Sequence, residues 1–319
     1  MDGTTTSPIL IPHSSTEVDA ASTESITSSF EFIGEKMSSA VDKEAKERNL
    51  HPSIIKQRLL PIDICVFGRA GIGKSQLIKA ITHLDIPVSP QIDHVTPGLC
   101  GLSTTIGDLT FRFWDTKGID NWLDIDNVDN MFNDMKELKV QPIFIIYCAA
   151  AGGRVDSDIV AGILKRFQSM DLPICYVITN IYAASDEQLQ QQKQGAFSIM
   201  NNVFEVDPYE INDLHYEYKI TTENSNDSAP KKNGILIGVN SCSFTNRMGT
   251  MAICNIHELM NFLAGNLNDE DFTKFVALTM KNRDFWDRFS DGFRTRLRRA
   301  SEKLSSWRIQ IKDLFKKLF

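Results

Sequence analysis

The chain has 319 residues, a length that holds one large domain or two ordinary ones. Apolar residues make up 42% and charged residues 24%, enough for a core, which excludes a chain disordered throughout. With 34 basic and 41 acidic side chains the net charge is −7, which excludes a generally basic nucleic-acid binder.

The first 30 residues hold 13 Ser or Thr and no Lys or Arg, so residues 1–29 are expected to form a disordered tail. They carry neither the basic start and apolar run of a secretory leader nor the Arg of a mitochondrial one, and Met1 is not followed by Gly. Residues 30–58 turn helical: Phe30, Ile33, Met37, Ala40 and Val41 recur mostly three or four apart until His51-Pro52 breaks the run. The six cysteines stand singly, with no C-x-x-C pair, which fits a reducing, cytoplasmic compartment and argues against a zinc site. No apolar run approaches the roughly 18 residues of a membrane span.

From residue 59 short apolar strands alternate with helical stretches. Strands are expected at Ile62–Phe67, Leu99–Ile106, Leu109–Asp115, Pro142–Ala149, Pro173–Thr179 and Gly234–Asn240. Helices are expected at Lys74–Leu84, Asp156–Met170, Asp186–Phe204 and Ile253–Leu267. Gly107-Asp108 reads as the turn of a hairpin. The alternation predicts an α/β fold, and the glycine-rich Gly68–Ser75 stretch after its first strand gives that fold the P-loop NTPase type. It is a doubly wound, mostly parallel sheet with one antiparallel hairpin strand, plus helical N- and C-terminal extensions. The domain is expected over 59–267, with polar residues 205–233 as an irregular surface insertion and 268–319 as a basic helical region.

The sharpest motif is Gly68-Arg69-Ala70-Gly71-Ile72-Gly73-Lys74-Ser75, which fits G-x-x-x-x-G-K-[ST] between a strand and a helix. Glycines let successive N–H groups turn inward on phosphate oxygens, and the helix adds its positive end. Lys74 would reach the β- and γ-phosphates, Ser75 would ligate Mg²⁺, and Gln76 follows within the nucleotide-binding set. About 40 residues on, a strand ends in Asp115-Thr116-Lys117-Gly118, a D-x-x-G. Asp115 would hold Mg²⁺ through water, and the Gly118 N–H would sense the γ-phosphate. Thr96, in a Pro-rich stretch before the hairpin, is the candidate to complete the metal shell. Thr104 and Thr105, inside the strand, rank below it.

Phosphate loop, loop Thr, hairpin and D-x-x-G, in that order, resemble the G domain of TRAFAC-class GTPases. Within that class the stretch from His94-Val95-Thr96 to Trp114-Asp115-Thr116-Lys117-Gly118-Ile119 resembles the septin-like and immunity-associated (paraseptin) branch, with the Era-like branch close behind. The resemblance runs from about Ile62 to Ala264. It implies a guanine-nucleotide switch with GTP, GDP and Mg²⁺ as ligands, Lys74 and Thr96 at the reacting phosphate, and self-association through the G domain.

Two departures stand beside it. The base-reading motif of such proteins is [NT]-K-x-D, whose Asp takes the guanine N1 and N2 hydrogens. Here the strand ends in Thr179-Asn180-Ile181-Tyr182-Ala183, so Tyr182 or Ala183 stands where that carboxylate is expected, depending on whether Thr179 or Asn180 comes first. Thr179, Asn180 and, on a later strand end, the Ser241 N–H are the candidate base contacts. Ile119 stands where many small GTPases carry a water-orienting Gln, which implies slow turnover completed by a partner or second subunit. A scaffold on a degenerate G domain, or a loop that takes ATP, are the alternatives.

Residues 281–319 carry 12 basic and 5 acidic side chains. From Trp286 through Phe289, Phe293, Leu297, Ala300, Leu304, Trp307, Ile311 and Leu314 to Leu318, apolar residues recur three or four apart. One continuous helix is expected, with three fates for its stripe: docking on the domain, lying on an anionic membrane surface, or pairing with a partner helix. The second would make the protein peripheral at a membrane. Nucleic acid is not an expected partner, since the stripe would be wasted on phosphates.

Overall fold

The computed structural model describes residues 61–84, 94–95, 99–106, 109–116, 126–153, 157–220, 233–246, 249–288 and 295–300. All of them belong to the second of two units of the chain, Arg58–Phe319. The strands are β1 Ile62–Phe67, β2 His94–Val95, β3 Leu99–Ile106, β4 Leu109–Thr116, β5 Pro142–Ala150, β6 Ile174–Thr179, β7 Tyr209–Asn212, β8 His215–Lys219, β9 Asn233–Gly238, β10 Phe244–Asn246 and β11 Gly249–Met251. The helices are α1 Lys74–Thr82, α2 Asp126–Glu137, α3 Ser157–Gln168, α4 Asp186–Phe204, α5 Ile256–Asn266, α6 Asp269–Thr279 and α7 Arg283–Asp287. The main sheet runs β2-β3-β4-β1-β5-β6-β9-β8-β7, and β10-β11 form a separate ribbon. Strands β4, β1, β5, β6 and β9 are parallel, and both margins are antiparallel. This is the P-loop NTPase type of α/β fold.

The parallel strands are apolar runs because helices cover both of their faces. On β1, Ile62, Ile64 and Val66 point into one core layer, shared with α1, α5 and α6. Cys65 and Phe67 point into the other, against α2, α3 and α4. One charge breaks the run. Asp63 is 1% exposed, and its carboxylate accepts from Arg112 Nε (2.6 Å) and Nη2 (2.8 Å), Trp114 Nε1 (2.7 Å) and the Gln141 N–H (2.8 Å). Asp63 and Arg112 are register partners of β1 and β4, so the ion pair lies across the ladder that carries the loop. At Gly101, opposite Trp114, a Cβ would press into the indole ring at 2.7 Å, so β3 lies flat against it.

Three sequence expectations are corrected. Residues 209–219, expected within an irregular insertion, form β7 and β8 and extend the sheet beyond β9. Their core contribution is carried by tyrosines: Tyr216 packs edge-on to Phe197 of α4 at 4.5 Å, and Tyr218 stacks on Phe204 at 5.3 Å. The boundary at 267/268 is not a domain edge, because Phe272, Phe275 and Val276 of α6 lie in the same core as α1 and α5. The expected continuous helix from Trp286 ends at Asp287. Trp286 is fully buried among Phe272, Phe275 and Phe285 and donates to the Thr279 carbonyl at 3.0 Å.

Residues 295–300 are helical again, and Leu297 and Ala300 are buried in that same core. Arg296 donates to the Ala264 (3.0 Å) and Leu267 (2.7 Å) carbonyls at the end of α5 and pairs with Asp269 at 2.9 Å. A cation there meets the negative end of the helix. Among the described residues no helix is long and apolar enough to cross a membrane. The expected tail (1–29), the helical segment within 30–58 and the stripe beyond Ala300 lie outside the described residues.

Candidate functional site

The loop between β1 and α1 sits at the carboxyl end of the central strand, where α/β sheets bind ligands. Gly68, Gly71 and Gly73 take φ of 135°, 76° and 99°. A Cβ on Gly68 would collide with the Cys148 carbonyl oxygen of β5, so the first glycine lets the loop lie against the neighbouring strand. Ile72 is buried and anchors the loop, while Arg69, Ala70, Gly71, Ser75 and Gln76 are exposed around its mouth. Gly73, in the left-handed region, is the N-cap of α1. The first N–H groups of α1 are therefore directed at the mouth, together with its dipole.

Lys74 folds its ammonium back into the loop. Nζ donates to the Gly68 carbonyl (2.6 Å) and the Arg69 carbonyl (2.8 Å) and lies 3.0 Å from Asp115 Oδ2. Both side chains are partly exposed, at 15% and 32%. The cation of the loop and the carboxylate at the end of β4, about 40 residues apart in sequence, thus share one point in space. Beneath them Cys148 is fully buried. Burial pushes its thiol up to about 12, against a smaller pull downward from Lys74, so it is no thiolate nucleophile at neutral pH.

The far wall comes from β6. Thr179, expected to contact the nucleotide, is 1% exposed, and its hydroxyl donates to the Ile72 carbonyl at 2.6 Å. That side chain braces the loop from the β6 side, and its proton is committed to that carbonyl. Asn180 follows with φ 55° and reaches the same carbonyl with Nδ2 at 3.3 Å. The 3₁₀ turn Ile181–Ala183 buries Ile181 and leaves Tyr182 41% exposed. Tyr182 Oη lies 3.7 Å from Cys254 Sγ.

Cys254 is bridged to Asn240 by two backbone hydrogen bonds (3.3 and 3.1 Å). Asn240 Nδ2 donates to the Cys242 (2.8 Å) and Ala252 (2.7 Å) carbonyls, which holds the β9–β10 connection and places buried Ser241 at its bend. Neither the Thr179 brace nor the Asn240 clamp is legible as a motif. The only sequence signal for either is a polar residue ending an apolar strand.

Thr104 and Thr105 lie on β3, paired with Phe111 and Thr110, at the hairpin end remote from Asp115, whose partner is Cys100. They are not brought to Lys74. Thr96, Gly118, Lys117 and Ile119 lie outside the described residues. Among the described residues no group of three or more His, Cys, Asp or Glu gathers around a metal position. Ser75 and Asp115 fit a different mode, in which Mg²⁺ takes one or two protein oxygens and the rest from phosphates and water.

No family model matches the chain, and no curated protein matches it. Its fold is similar to solved structures at low identity. One, from work on dimerization and GTPase activity of the chloroplast translocon components atToc33 and psToc159, is 13% identical, with 72% of this chain and 92% of that one covered and a TM-score of 0.38. Toc33 from Arabidopsis thaliana with Mg²⁺ and GMPPNP is 14% identical, with 54% and 74% covered and a TM-score of 0.33. Translation elongation factor SelB from Methanococcus maripaludis with GppNHp is 16% identical, with 44% of this chain covered and a TM-score of 0.28; the match spans 26% of SelB.

Proposed function

We propose that this chain is a nucleotide switch that binds GTP with Mg²⁺ and hydrolyses it slowly. The observation that carries the reading is the meeting of Lys74 and Asp115 within a loop of three left-handed glycines at a helix N-terminus. Such a loop offers N–H donors and one mobile cation to a polyphosphate, and a carboxylate beside it suits a divalent metal. The roles follow from that. The N–H groups of residues 69–76 would take the β-phosphate, and Lys74 would swing from its carbonyl partners to the β- and γ-oxygens. Ser75 and Asp115 would supply oxygens to Mg²⁺, with Thr96 and Gly118 completing the contacts around the γ-phosphate. Bound Mg²⁺ would neutralise the charge developing between the β- and γ-phosphates.

Turnover is expected to be slow, because Ile119 has no group to orient water; self-association or a partner would supply one. Guanine is the base that the motif order supports, through the resemblance to TRAFAC GTPases.

Calorimetry with Mg²⁺-GTP, on wild type and Lys74→Ala, tests the reading. Binding by wild type and a loss of at least about tenfold in the variant is expected, the worth of a charged hydrogen bond. Equal binding by both would refute the loop assignment. No binding by folded wild type would leave a scaffold built on this fold.

A further inference from the structure

We infer that Tyr182 is the base-contacting residue of this site, and that it binds the face of a purine without reading the guanine N–H groups. The inference rests on the nucleotide-binding reading above and adds the class of base to it. A nucleoside attached to phosphates on the loop must leave along the carboxyl edge of the sheet. Lys74 and Asp115 meet on the β4 side of the loop, and Thr179 and Asn180 reach it from β6, so we place the base over β6 and towards β9.

The side chains met there are known. Thr179 and Asn180 are engaged with the Ile72 carbonyl. Ile181 turns inward and is 5% exposed, packed where a Cβ on Gly238 would come within 3.2 Å of it. Its burial fixes the 3₁₀ turn and sends the next residue outward. Of the two residues at which the acidic position of the base-reading motif falls, Ala183 has nothing beyond Cβ. Tyr182 spans from the β6 turn to Cys254 on the β9 side, and Cys254 is pinned to Asn240 by two backbone bonds. An exposed ring held at its far end by a second loop is a stacking platform.

A phenol has one O–H and no fixed negative charge. It cannot accept two N–H groups from guanine as a carboxylate does. The acids next along the chain, Asp186 and Glu187, belong to the first turn of α4, where the helix dipole favours them. Among the described residues the other candidate base contact is the backbone N–H of Ser241, a neutral donor; left facing the adenine amino group it costs about 5- to 150-fold. The site should therefore take both purine nucleoside triphosphates, with a preference for guanine of no more than about 150-fold.

The test is a calorimetric matrix of Mg²⁺ with GTP, ATP and tripolyphosphate on the full chain, with Tyr182→Ala, Tyr182→Phe and Tyr182→Asp. Tyr182 is exposed, so folding is expected to survive, and circular dichroism verifies it. Wild type is expected to bind GTP no more than about 150-fold tighter than ATP. Tyr182→Ala should weaken both nucleotides by about tenfold, the scale of base–aromatic stacking, and leave tripolyphosphate unchanged, while Tyr182→Phe keeps nucleotide affinity. Tyr182→Asp should raise the GTP to ATP ratio at least about tenfold, since hydrogen bonds to a charged acceptor are the stronger kind.

A wild type that rejects ATP by more than about 150-fold overturns the inference. So does a Tyr182→Ala variant with unaltered nucleotide affinity. In either case the loop reading stands, because nucleotide is still bound. Wild type that binds neither tripolyphosphate nor nucleotide overturns both.

Discussion

Asp63 shows how a single residue is made to tolerate burial. Its carboxylate, 1% exposed, meets four donors, two of them from one guanidinium. Arg112 also lies 5.1 Å from the Trp114 ring, so the same cation covers the indole that serves Asp63. Removing one partner of such a pair leaves an uncompensated buried charge, which costs about 3–5 kcal/mol, whereas replacing both by apolar groups is often neutral. Arg112→Met should therefore lower stability by about 3–5 kcal/mol in urea unfolding. The double variant with Asp63→Leu should recover much of that loss. A loss in Arg112→Met no larger than that of an exposed ion pair would show that Asp63 finds other compensation. Gly68 makes the complementary case at the loop. Gly68→Ala puts a methyl on the Cys148 carbonyl at a φ of 135°, so the loop must shift. Tripolyphosphate binding is expected to fall at least about tenfold, the worth of one charge-assisted contact to phosphate, while far-ultraviolet circular dichroism holds.

At the scale of elements, the strand β8 joins two chemistries. Tyr216 and Tyr218 face the core, and His215, Glu217 and Lys219 share the other side. Glu217 lies 3.4 Å from His215 Nε2 and 2.9 Å from Lys219 Nζ. The His215 imidazole 3.4 Å away, then Lys219, hold its carboxyl down from 4.5 to about 2, against burial, which pushes it up. A depressed carboxylate stabilises the fold above its unfolded value and ceases to do so as pH falls through the folded one. The contribution of Glu217 is therefore present at neutral pH and lost between about pH 4.5 and pH 2. Amide exchange of β8 should quicken relative to β6 as pH is lowered through that window, after correction for the intrinsic rate. Glu217→Gln should remove the pH dependence; an unchanged profile in that variant would assign the effect elsewhere.

The same strand marks the limit of what the sequence discloses. The runs Ile62–Phe67, Pro142–Ala150 and Ile174–Thr179 are visible because parallel strands covered on both faces must be apolar throughout. The alternation His215-Tyr216-Glu217-Tyr218-Lys219 has a period of two, but only Tyr216 and Tyr218 mark its core face, and the largely polar residues 205–213 and 221–233 on either side hide so short a signal. Helix α6 falls in a region expected to be helical, but its place in the core escapes for a related reason. Asp269, Glu270 and Asp271 crowd its first turn, where Asn268 caps it and the dipole favours them, and they mask the buried Phe272, Phe275 and Val276 behind them. At the site, Lys74, Ser75 and Asp115 carry a local motif. The Thr179 brace reaches a carbonyl 107 residues away, a contact that no local pattern encodes.

At the scale of the whole molecule, the question is where the folded unit ends. Asn282, 4% exposed, ties three elements together. Its Nδ2 donates to the Ala80 and Ile81 carbonyls at the end of α1, both at 3.0 Å, and its Oδ1 accepts from the Phe285 N–H and caps α7. The helix that begins at the phosphate loop is thus closed at its other end by the C-terminal segment. Trp286 then fills the space between Phe272 and Phe275, and Leu297 and Ala300 complete the same layer. Chain ends placed at three points should separate these contributions. A chain ending at Asn282 loses Phe285 and Trp286 and is expected to fall below one ending at Arg288 by at least about 3–5 kcal/mol, the cost of emptying one large aromatic site. A chain ending at Arg288 keeps Trp286 but gives up Leu297 and the Arg296 contacts with Ala264, Leu267 and Asp269. It should be less stable than a chain ending at Ala300 by about 2–4 kcal/mol, from one fully buried Leu and hydrogen bonds of about 1 kcal/mol each. Urea midpoints at constant slope measure the differences. Equal stability of the Arg288 and Ala300 chains would show that residues 295–300 contribute nothing to the core, and would return the basic segment to its other candidates, an anionic surface or a partner helix. The order expected from the packing is Ala300 above Arg288 above Asn282. It joins residues 281–288 and 295–300 to the folded unit that carries the loop, with Asn282 as the tie to α1.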